Sequence, residues 1–259
     1  MKETKQEKSG QDSVIQEQTT VGELVVKHPG LRQSLERLGI DYCCGGKRPL
    51  IEAAKQAGVK WPTVLAALNA ALAAPAKTAN TIDWNTASLT VLTDHILDKH
   101  HVFTKEQLPR LDDLLARLQR AHAAHHGAML NHIRQSYEPL RAELDSHLQK
   151  EEQILFPAIK DIDAFMTGKG QRPVIHCGSI ANPIAQMEAE HESAGQALVE
   201  IRRSTDNYQL PADACQTFAA FYEGMEALEA DLHEHIHLEN NILYPKSLKQ
   251  EAEMGTRSR

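Results

Sequence analysis

A histidine and a glutamate stand one helical turn apart in two closely similar segments of the chain. His147 and Glu151 occur in HLQKEEQILFP, and His235 and Glu239 occur in HIHLENNILYP, 88 residues further along. Imidazole and carboxylate groups are the ligands that zinc, iron and related metals take from proteins. A single pair of this kind is more often a solvated ion pair on a helix surface. Two pairs in the same register predict a shared metal site.

The match between the two segments continues upstream, where apolar residues recur at steps of three and four. This spacing is typical of the core-facing side of a helix with 3.6 residues per turn. Each stripe ends in an inward-pointing histidine and glutamate, which need a partner because isolated buried charge is costly. The stripes are Leu130, Ile133, Tyr137, Leu140, Leu144, His147, Glu151 and Ile154, and Phe218, Phe221, Met225, Leu228, Leu232, His235, Glu239 and Ile242.

The composition of the chain narrows the possible functions. Its 259 residues suffice for one large and one small domain, and the low aromatic content of 5% leans helical. The net charge of −7 argues against a nucleic-acid partner, which needs a concentrated basic surface. No apolar stretch approaches the length of a membrane span, and the start of the chain lacks the apolar core of a signal peptide. We expect a cytoplasmic protein with reduced cysteines and no membrane partner.

The amino-terminal part of the chain predicts a small helical domain. We interpret residues 1–19 as a disordered tail and residues 20–74 as the domain, which opens with a capping box formed by Thr20 and Glu23. A helix beginning near Pro29 ends at Gly39, and two further short helices precede residue 74. Between them lies Cys43-Cys44-Gly-Gly, a turn that offers two thiols at one point for soft-metal contact or exchange chemistry.

The remainder of the chain predicts a four-helix bundle. Residues 75–85 are interpreted as a linker, residues 86–249 as the bundle and residues 250–259 as a polar tail. Thr86 or Ser88 caps the first long helix, which runs to about residue 124, and Gly127 marks the junction with the second. The other helices are expected at about 128–162, 184–205 and 212–243, with a loop over residues 163–183. Long consecutive helices of this kind form an up-down-up-down all-α bundle.

The repeat implies that the first and third bundle helices also match one another. The third helix offers one interior candidate, His191. The first offers His95, His100 and His101; downstream apolar neighbours favour His101, whereas Leu92 and Ile96 upstream favour His100. Pattern alone leaves that choice open, and we take His101.

Four histidines and two glutamates converging from four helices suit a carboxylate-bridged pair of iron ions. These ligands fill about eight of the roughly twelve positions that two such metals offer. An oxo or hydroxo bridge would occupy two more. About one position per metal then remains for a small ligand.

Other histidine motifs compete with this interpretation. His233 to His237 matches the H-E-x-x-H pattern of zinc proteases, but both histidines lie off the apolar stripe. Four histidines near the first helix–helix junction are more simply solvated polar residues than a second metal site: His122, His125, His126 and His132. The role of His176 and Cys177, in the predicted loop, stays open.

Together, the motif DYCCGG at residues 41–46 and the two His/Glu segments resemble the RIC (repair of iron centres) family of di-iron proteins. The resemblance covers about residues 20–246. It implies a hemerythrin-like bundle with two bridging glutamates and a mobile amino-terminal module with functional thiols. It also selects His101 over His100. The implied di-iron ligands are His101, His147, Glu151, His191, His235 and Glu239, and the implied thiols are Cys43 and Cys44.

The resemblance implies repair of iron–sulfur clusters damaged by nitric oxide or oxidants, by supply of iron to damaged or apo iron–sulfur proteins. Open iron positions would equally suit a protein that binds or reduces nitric oxide. A third hypothesis, a module that senses dioxygen or iron, is weakened because no output domain is visible. Whether the chain turns over a substrate as an enzyme is left open.

Overall fold

The computed structural model describes residues 15–73, 82–175 and 178–256. Apart from one bridge between Thr20 and Pro49, all regular secondary structure in these residues is helical, which confirms the all-α fold class. The chain forms two compact units, one within residues 1–79 and the other within residues 80–259. None of the described helices is both long enough and apolar enough to cross a membrane.

The first unit is built from four short helices around a small apolar core. Its predicted capping box is present: Thr20 accepts a hydrogen bond from the backbone N–H of Glu23, and the Glu23 carboxylate accepts one from that of Thr20. Gly39 ends the second helix, as predicted, in the left-handed conformation at φ +66°. The helices are α1 (Val21–Lys27), α2 (Arg32–Arg37, after a 3₁₀ turn at Pro29–Leu31), α3 (Leu50–Gln56) and α4 (Trp61–Ala73).

The predicted disordered tail of residues 1–19 extends too far. Residues 1–14 lie outside the described residues, but Ile15 is buried. The carbonyls of Thr19 and Glu17 accept hydrogen bonds from the first two N–H groups of α3, at 2.9 and 3.1 Å. Those N–H groups have no partner within their own helix, so they hold residues 17–19 in place.

The second unit is a four-helix bundle made of four rods. The first rod is α5 (Leu89–His95) and the first arm of α6 (Val102–Lys150), and the second is the other arm of α6 followed by α7 (Phe156–Met166). The third rod is α8 (Ala181–Ser204), and the fourth joins α9 (Gln216–Leu238) to α10 (Tyr244–Thr256). Of the two predicted caps for the first rod, Ser88 accepts the hydrogen bond from Val91 N–H.

The ends of the second predicted domain differ from expectation. Residues 250–256 belong to α10, and Met254 is buried, so the predicted polar tail at residues 250–259 is wrong for this stretch. Residues 257–259 and most of the predicted linker at 75–85 lie outside the described residues.

The chain reverses direction within α6, at His122. This residue has non-helical angles (φ −117°, ψ 17°), and the two arms that meet there pack side by side. Tyr137 donates a hydrogen bond to the carbonyl of Leu108, and Arg134 pairs with Asp112 nearer the reversal. The junction predicted near Gly127 therefore lies at His122, since the helical hydrogen bonding continues through the glycine.

Three π-helical turns interrupt the rods, at Ile96–His101, Glu151–Leu155 and Glu239–Leu243. A π turn accommodates one extra residue, so the side chains that follow it are rotated relative to an uninterrupted α-helix. Ile154, which the α-helical spacing placed on the buried stripe, is 58% exposed. The equivalent Ile242 is buried, and its turn packs against α5. The predicted inward position of Ile154 is wrong.

Candidate metal centre

The six predicted ligands lie together in the interior of the bundle. His101 ends the first π turn, whereas Glu151 and Glu239 begin the other two. Each turn therefore has a candidate ligand at one end, and π turns are frequently found at functional sites. All six side chains are buried: His101, His147, Glu151, His191, His235 and Glu239.

The six residues form two groups that share both glutamates. One group consists of the glutamates with His101 and His235, and the other of the glutamates with His147 and His191. Within each group the candidate ligand atoms all lie within 4.8 Å of one another. We call the spaces enclosed by these groups the first and the second position. A carboxylate that faces both positions is placed to bridge two ions.

The distances between donor atoms fit metal ligation. Metal–ligand bonds of about 2.1 Å at right angles separate neighbouring donors by about 3 Å. At the second position, the Nε2 atoms of His147 and His191 are 3.1 Å apart, and His191 Nε2 lies 3.2 Å from Glu239 Oε2. At the first position, His101 Nε2 is 3.4 Å from Glu151 Oε2.

Several buried polar atoms of the cluster lack a hydrogen bond. Among the described residues, buried atoms without a hydrogen-bond partner include His101 Nε2, Glu151 Oε2, His235 Nδ1 and Glu239 Oε2. Leaving such atoms unsatisfied is costly, and most buried polar groups in proteins have a partner. Two carboxylates facing each other without a cation add repulsion to that cost. The donor set therefore fits a pair of metal ions.

Three of the four histidines are oriented by hydrogen bonds at their outer nitrogen. Nδ1 of His147 lies 2.8 Å from Glu190, whose carboxylate also pairs with Lys150. Nδ1 of His101 lies 2.8 Å from Glu152, and Nδ1 of His191 lies 2.9 Å from the side-chain oxygen of Asn240. Partners of this kind fix the ring orientation so that Nε2 faces the metal position.

His100 lies beside the cluster but outside both groups. Its Nδ1 is 2.9 Å from an Asp231 carboxylate oxygen, and its ring stacks on that of His235 with centroids 5.4 Å apart. His101, the next residue in the same π turn, reaches the glutamates. The geometry therefore separates the two histidines between which the sequence pattern did not decide.

Without a metal, the charges in the cluster favour protonated histidine and ionised glutamate. Burial opposes the charge of His147, but the Glu151 carboxylate outweighs it and raises the pKa of His147 to about 9. Burial likewise opposes ionisation of Glu151, yet the neighbouring histidines hold its pKa well below the usual range. Burial lowers the pKa of His235. A metal ion that displaces these protons would balance the negative charge of the glutamates, as the protonated histidines do in its absence.

Tyr244 contacts the cluster and was not identified from the sequence. Its hydroxyl donates a hydrogen bond of 2.6 Å to Glu151 Oε1, and its ring is parallel to that of His191 with centroids 6.2 Å apart. Burial, together with the charge of Glu151, raises the pKa of the phenol well above its ordinary value. The available signal was that Phe156 occupies the equivalent place, the one difference among Phe, Tyr and Trp within the two eleven-residue segments.

The predicted thiols lie in the loop between α2 and α3 of the first unit. Cys43 is buried and Cys44 half-buried, with their sulfur atoms 3.8 Å apart. The Asp41 carboxylate lies 3.2 Å from the Cys43 sulfur, and these three side chains form a group that could hold a metal. The contact with Cys44, with burial and the Asp41 charge, raises the pKa of the Cys43 thiol.

Asp41 also shapes this loop, because its carboxylate accepts hydrogen bonds from three consecutive backbone N–H groups. The donors are Cys43, Cys44 and Gly45, at 2.9, 3.0 and 2.8 Å. A Cβ on Gly45 would come within 2.9 Å of the Asp41 carbonyl. The glycine is thus required for the turn to close around Asp41.

The other histidine motifs do not enter these groups. His233 and His237 of the protease-like pattern belong to neither, and His237 bonds to Asn241. Near the reversal in α6, His122, His126 and His132 pair separately with Cys215, Asp213 and Glu200. His176 and Cys177 lie outside the described residues.

A pocket opens beside the second position. Its walls come from the second, third and fourth rods and include the apolar side chains of Leu144, Ala194 and Leu232. His147, His191 and His235 also line it. A small molecule in this pocket would touch residues of both positions.

Comparison with known proteins agrees with both units. The model of the hemerythrin HHE cation binding domain matches residues 92–247, and that of a domain of unknown function (DUF542) matches residues 17–72. The iron–sulfur cluster repair protein YtfE of Enterobacter sp. (strain 638) is 38% identical over 231 residues, covering 89% of this chain and 97% of the relative. Its counterpart in Citrobacter koseri is 37% identical over the same length. The chain belongs to the RIC family.

Membership in the RIC family confirms the resemblance described above and the hemerythrin-like bundle. The matched hemerythrin segment contains all six residues of the cluster, and the DUF542 segment contains both Cys43 and Cys44. Cation binding is thus expected of the segment in which the structure brings the histidines and glutamates together.

Proposed function

We propose that this protein repairs iron–sulfur clusters by holding two iron ions in the bundle and supplying iron to damaged or apo iron–sulfur proteins. The observation that carries the proposal is the buried cluster in which Glu151 and Glu239 each face both positions. The names of the curated relatives support the role in repair. The resident iron would supply the Lewis acidity and the cargo.

The residues of this chain would divide the work of holding iron. His101 and His235 would hold an ion at the first position, His147 and His191 would hold one at the second, and Glu151 and Glu239 would contribute to both. The carboxylate of Glu190 holds His147 in orientation and accepts the hydrogen of its Nδ1. Burial excludes water from the carboxylates and strengthens their attraction for a cation.

Cys43 and Cys44 would assist transfer of iron as soft ligands on a separate unit. Support comes from their adjacency, from the Asp41 carboxylate beside them and from the half-buried position of Cys44. We propose that the thiol domain extends from about residue 15 to residue 74 and the bundle from residue 86 to residue 256, joined by the linker at 75–85. Adjacent thiols in the reduced state suit a reducing compartment, so we place the activity in the cytoplasm.

The double variant Cys43→Ala/Cys44→Ala tests this division of labour. With iron loaded in the bundle, we expect transfer to an apo iron–sulfur enzyme to fall several-fold, while iron content and nitric-oxide binding stay at the wild-type level. The matched control is Cys215→Ala, which removes an exposed thiol from the bundle. Unchanged transfer in the double variant would overturn the role of the thiols.

Nitric-oxide binding or reduction is the second candidate function. The pocket beside the second position favours it, because its partly apolar walls lead to three of the histidines. Dioxygen could occupy the same space. The experiment above separates the candidates, since a nitric-oxide protein would retain its full activity without the thiols. A sensing module is the least supported alternative.

A further inference from the structure

The two shared glutamates differ in how they present their oxygens to the metal positions. Glu239 offers one oxygen to each position: Oε1 lies 2.9 Å from His235 Nε2, and Oε2 lies 3.2 Å from His191 Nε2. Glu151 offers a single oxygen to both. Its Oε2 lies 3.4 Å from His101 Nε2 and 3.3 Å from His147 Nε2.

Tyr244 accounts for this difference. Its hydroxyl donates to Oε1 of Glu151 at 2.6 Å, which leaves only Oε2 to face the histidines. Tyr244 is buried (1% exposed), and its ring is parallel to that of His191. The position of the hydroxyl is therefore fixed by the packing of the ring and by the hydrogen bond to Glu151. Burial removes water as a competing partner and strengthens the bond to a charged acceptor.

The second copy of the repeat has no such donor. Phe156 occupies the place equivalent to Tyr244, and its ring lies beside His101 as that of Tyr244 lies beside His191. Among the described residues no hydroxyl group donates to Glu239, whose Oε1 lies beside His235 and whose Oε2 lies beside His191. One hydroxyl group therefore distinguishes two glutamates that the sequence repeat makes equivalent.

We propose that Tyr244 is a positioning residue that occupies one oxygen of Glu151, restricting this glutamate to a single-oxygen bridge, while Glu239 bridges through both oxygens. The inference rests on the proposed binding of two iron ions and specifies which carboxylate is the weaker ligand. A carboxylate whose negative charge is shared with a hydrogen-bond donor binds a cation less tightly. Iron release then begins at Glu151.

The variant Tyr244→Phe tests the proposal on the full chain loaded with iron. Freed from the phenol, Glu151 can offer both oxygens, so we expect iron transfer to a chelator to slow by roughly tenfold, the equivalent of one hydrogen bond to a charged group. X-ray absorption should show a longer iron–iron separation than in wild type, because a two-oxygen bridge spaces metals further apart than a single-oxygen bridge.

The matched control is Tyr137→Phe, which removes a hydroxyl of the same kind from a fully buried tyrosine elsewhere in the bundle. Tyr137 donates to the carbonyl of Leu108 at 2.6 Å and belongs to neither metal position. We expect Tyr137→Phe to leave the iron–iron separation and the release rate unchanged. Circular dichroism would verify that both variants are as helical as wild type.

A second variant moves the phenol instead of deleting it. In Tyr244→Phe with Phe156→Tyr, the hydroxyl is transferred to the other copy of the repeat, and we expect release to return toward the wild-type rate. This variant has the composition of the wild-type chain, so a general loss of packing cannot reproduce the reversal. It also tests the proposal if the single variant folds poorly.

The outcomes separate failure of this inference from failure of the proposed function. If the wild-type protein binds iron and Tyr244→Phe releases iron at the same rate or faster, the positioning role is wrong. A merely structural role of Tyr244 predicts faster release. Wild-type protein that binds no iron after anaerobic loading overturns both. Slower release with a longer iron–iron separation supports the inference.

Discussion

The two copies of the His/Glu repeat begin alike and end differently. In both, a histidine precedes a glutamate by four residues, and the glutamate opens a π turn followed by an aromatic residue and proline. In the first copy His147 is oriented by Glu190, whereas in the second Nδ1 of His235 lacks a hydrogen bond within the described residues. Ile154 is exposed in the first copy, and Ile242 is buried in the second.

This difference shows which part of the motif serves the cluster and which part serves its surroundings. The ligand pair and the π turn are shared, because both copies must direct a carboxylate to the same pair of positions. The residues after the glutamate follow local packing instead. The second copy packs its turn against α5 and directs a tyrosine to the opposite glutamate.

The largest effect is expected when either shared glutamate is removed. Glu151→Leu and Glu239→Leu should each lower iron affinity by more than about 100-fold, since each removes a ligand itself, and loss of a partner that only orients a histidine ligand typically costs about 10- to 100-fold. The comparison predicts the greater loss for Glu239→Leu, because Glu239 offers one oxygen to each position. Metal analysis with an ultraviolet–visible spectrum measures both.

The control for these variants is Glu138→Leu, which changes an exposed glutamate on the same rod as Glu151. We expect it to retain the full iron content. If Glu151→Leu and Glu239→Leu kept the wild-type stoichiometry, the assignment of the bridging ligands would be wrong.

The next largest effect is on the free energy of unfolding, when the same substitution is made at the equivalent isoleucines of the two copies. Ile242→Ala should lower the free energy of unfolding by about 2–5 kcal/mol, the usual cost of deleting a buried aliphatic side chain. Ile154→Ala should change it by less than about 0.5 kcal/mol, because its side chain is largely exposed. Urea denaturation of the two variants tests this, and equal losses would contradict the exposure of Ile154.

The smallest effect is the pH dependence of the metal-free protein, in which the equivalent histidines act in opposite directions. The pKa of His147 is raised from about 6.5 to about 9. Its stabilising contribution is complete below about pH 6.5 and is lost as the pH rises through about 9. The pKa of His235 is lowered by burial, so its contribution is present above about pH 6.5 and is lost as the pH falls through its folded value.

Urea midpoints of chelator-treated protein between about pH 5 and pH 10 would measure both contributions. His147→Gln should flatten the alkaline side of the profile, and His235→Gln the acidic side. A profile in which both cluster variants flatten the same side would contradict the opposite pKa shifts.

Much of this molecule could be predicted because its chemistry repeats. Two copies of one pattern indicated the stripes and four ligands, and the capping box of Thr20 and Glu23 follows from local hydrogen bonding alone. His101 was harder to identify, since adjacent histidines on a helix differ by only about 100° in direction. Apolar neighbours pointed both ways there, and the structure shows why: the pair lies within a π turn, where α-helical spacing does not apply.

The features that escaped prediction depend on tertiary contacts or on departures from the α-helix. Ile154 was misplaced because its exposure depends on what packs against its π turn: the equivalent Ile242 is buried where the second turn packs against α5, and sequence gives no signal of that tertiary contact. Gly127 suggested a break in the helix, but the reversal occurs at His122, where the contacts between the two arms of α6 decide it. Tyr244 was overlooked because its partner, Glu151, lies 93 residues earlier in the chain.

The π turn at Glu239–Leu243 also sets a limit on how this gene could change. Loss of a single codon between Asn240 and Leu243 would leave all six candidate ligands in the protein. It would also remove the extra residue and turn everything that follows by about 100°, carrying the Tyr244 hydroxyl away from Glu151. The number of residues in this turn therefore matters to the site as much as the identity of its side chains.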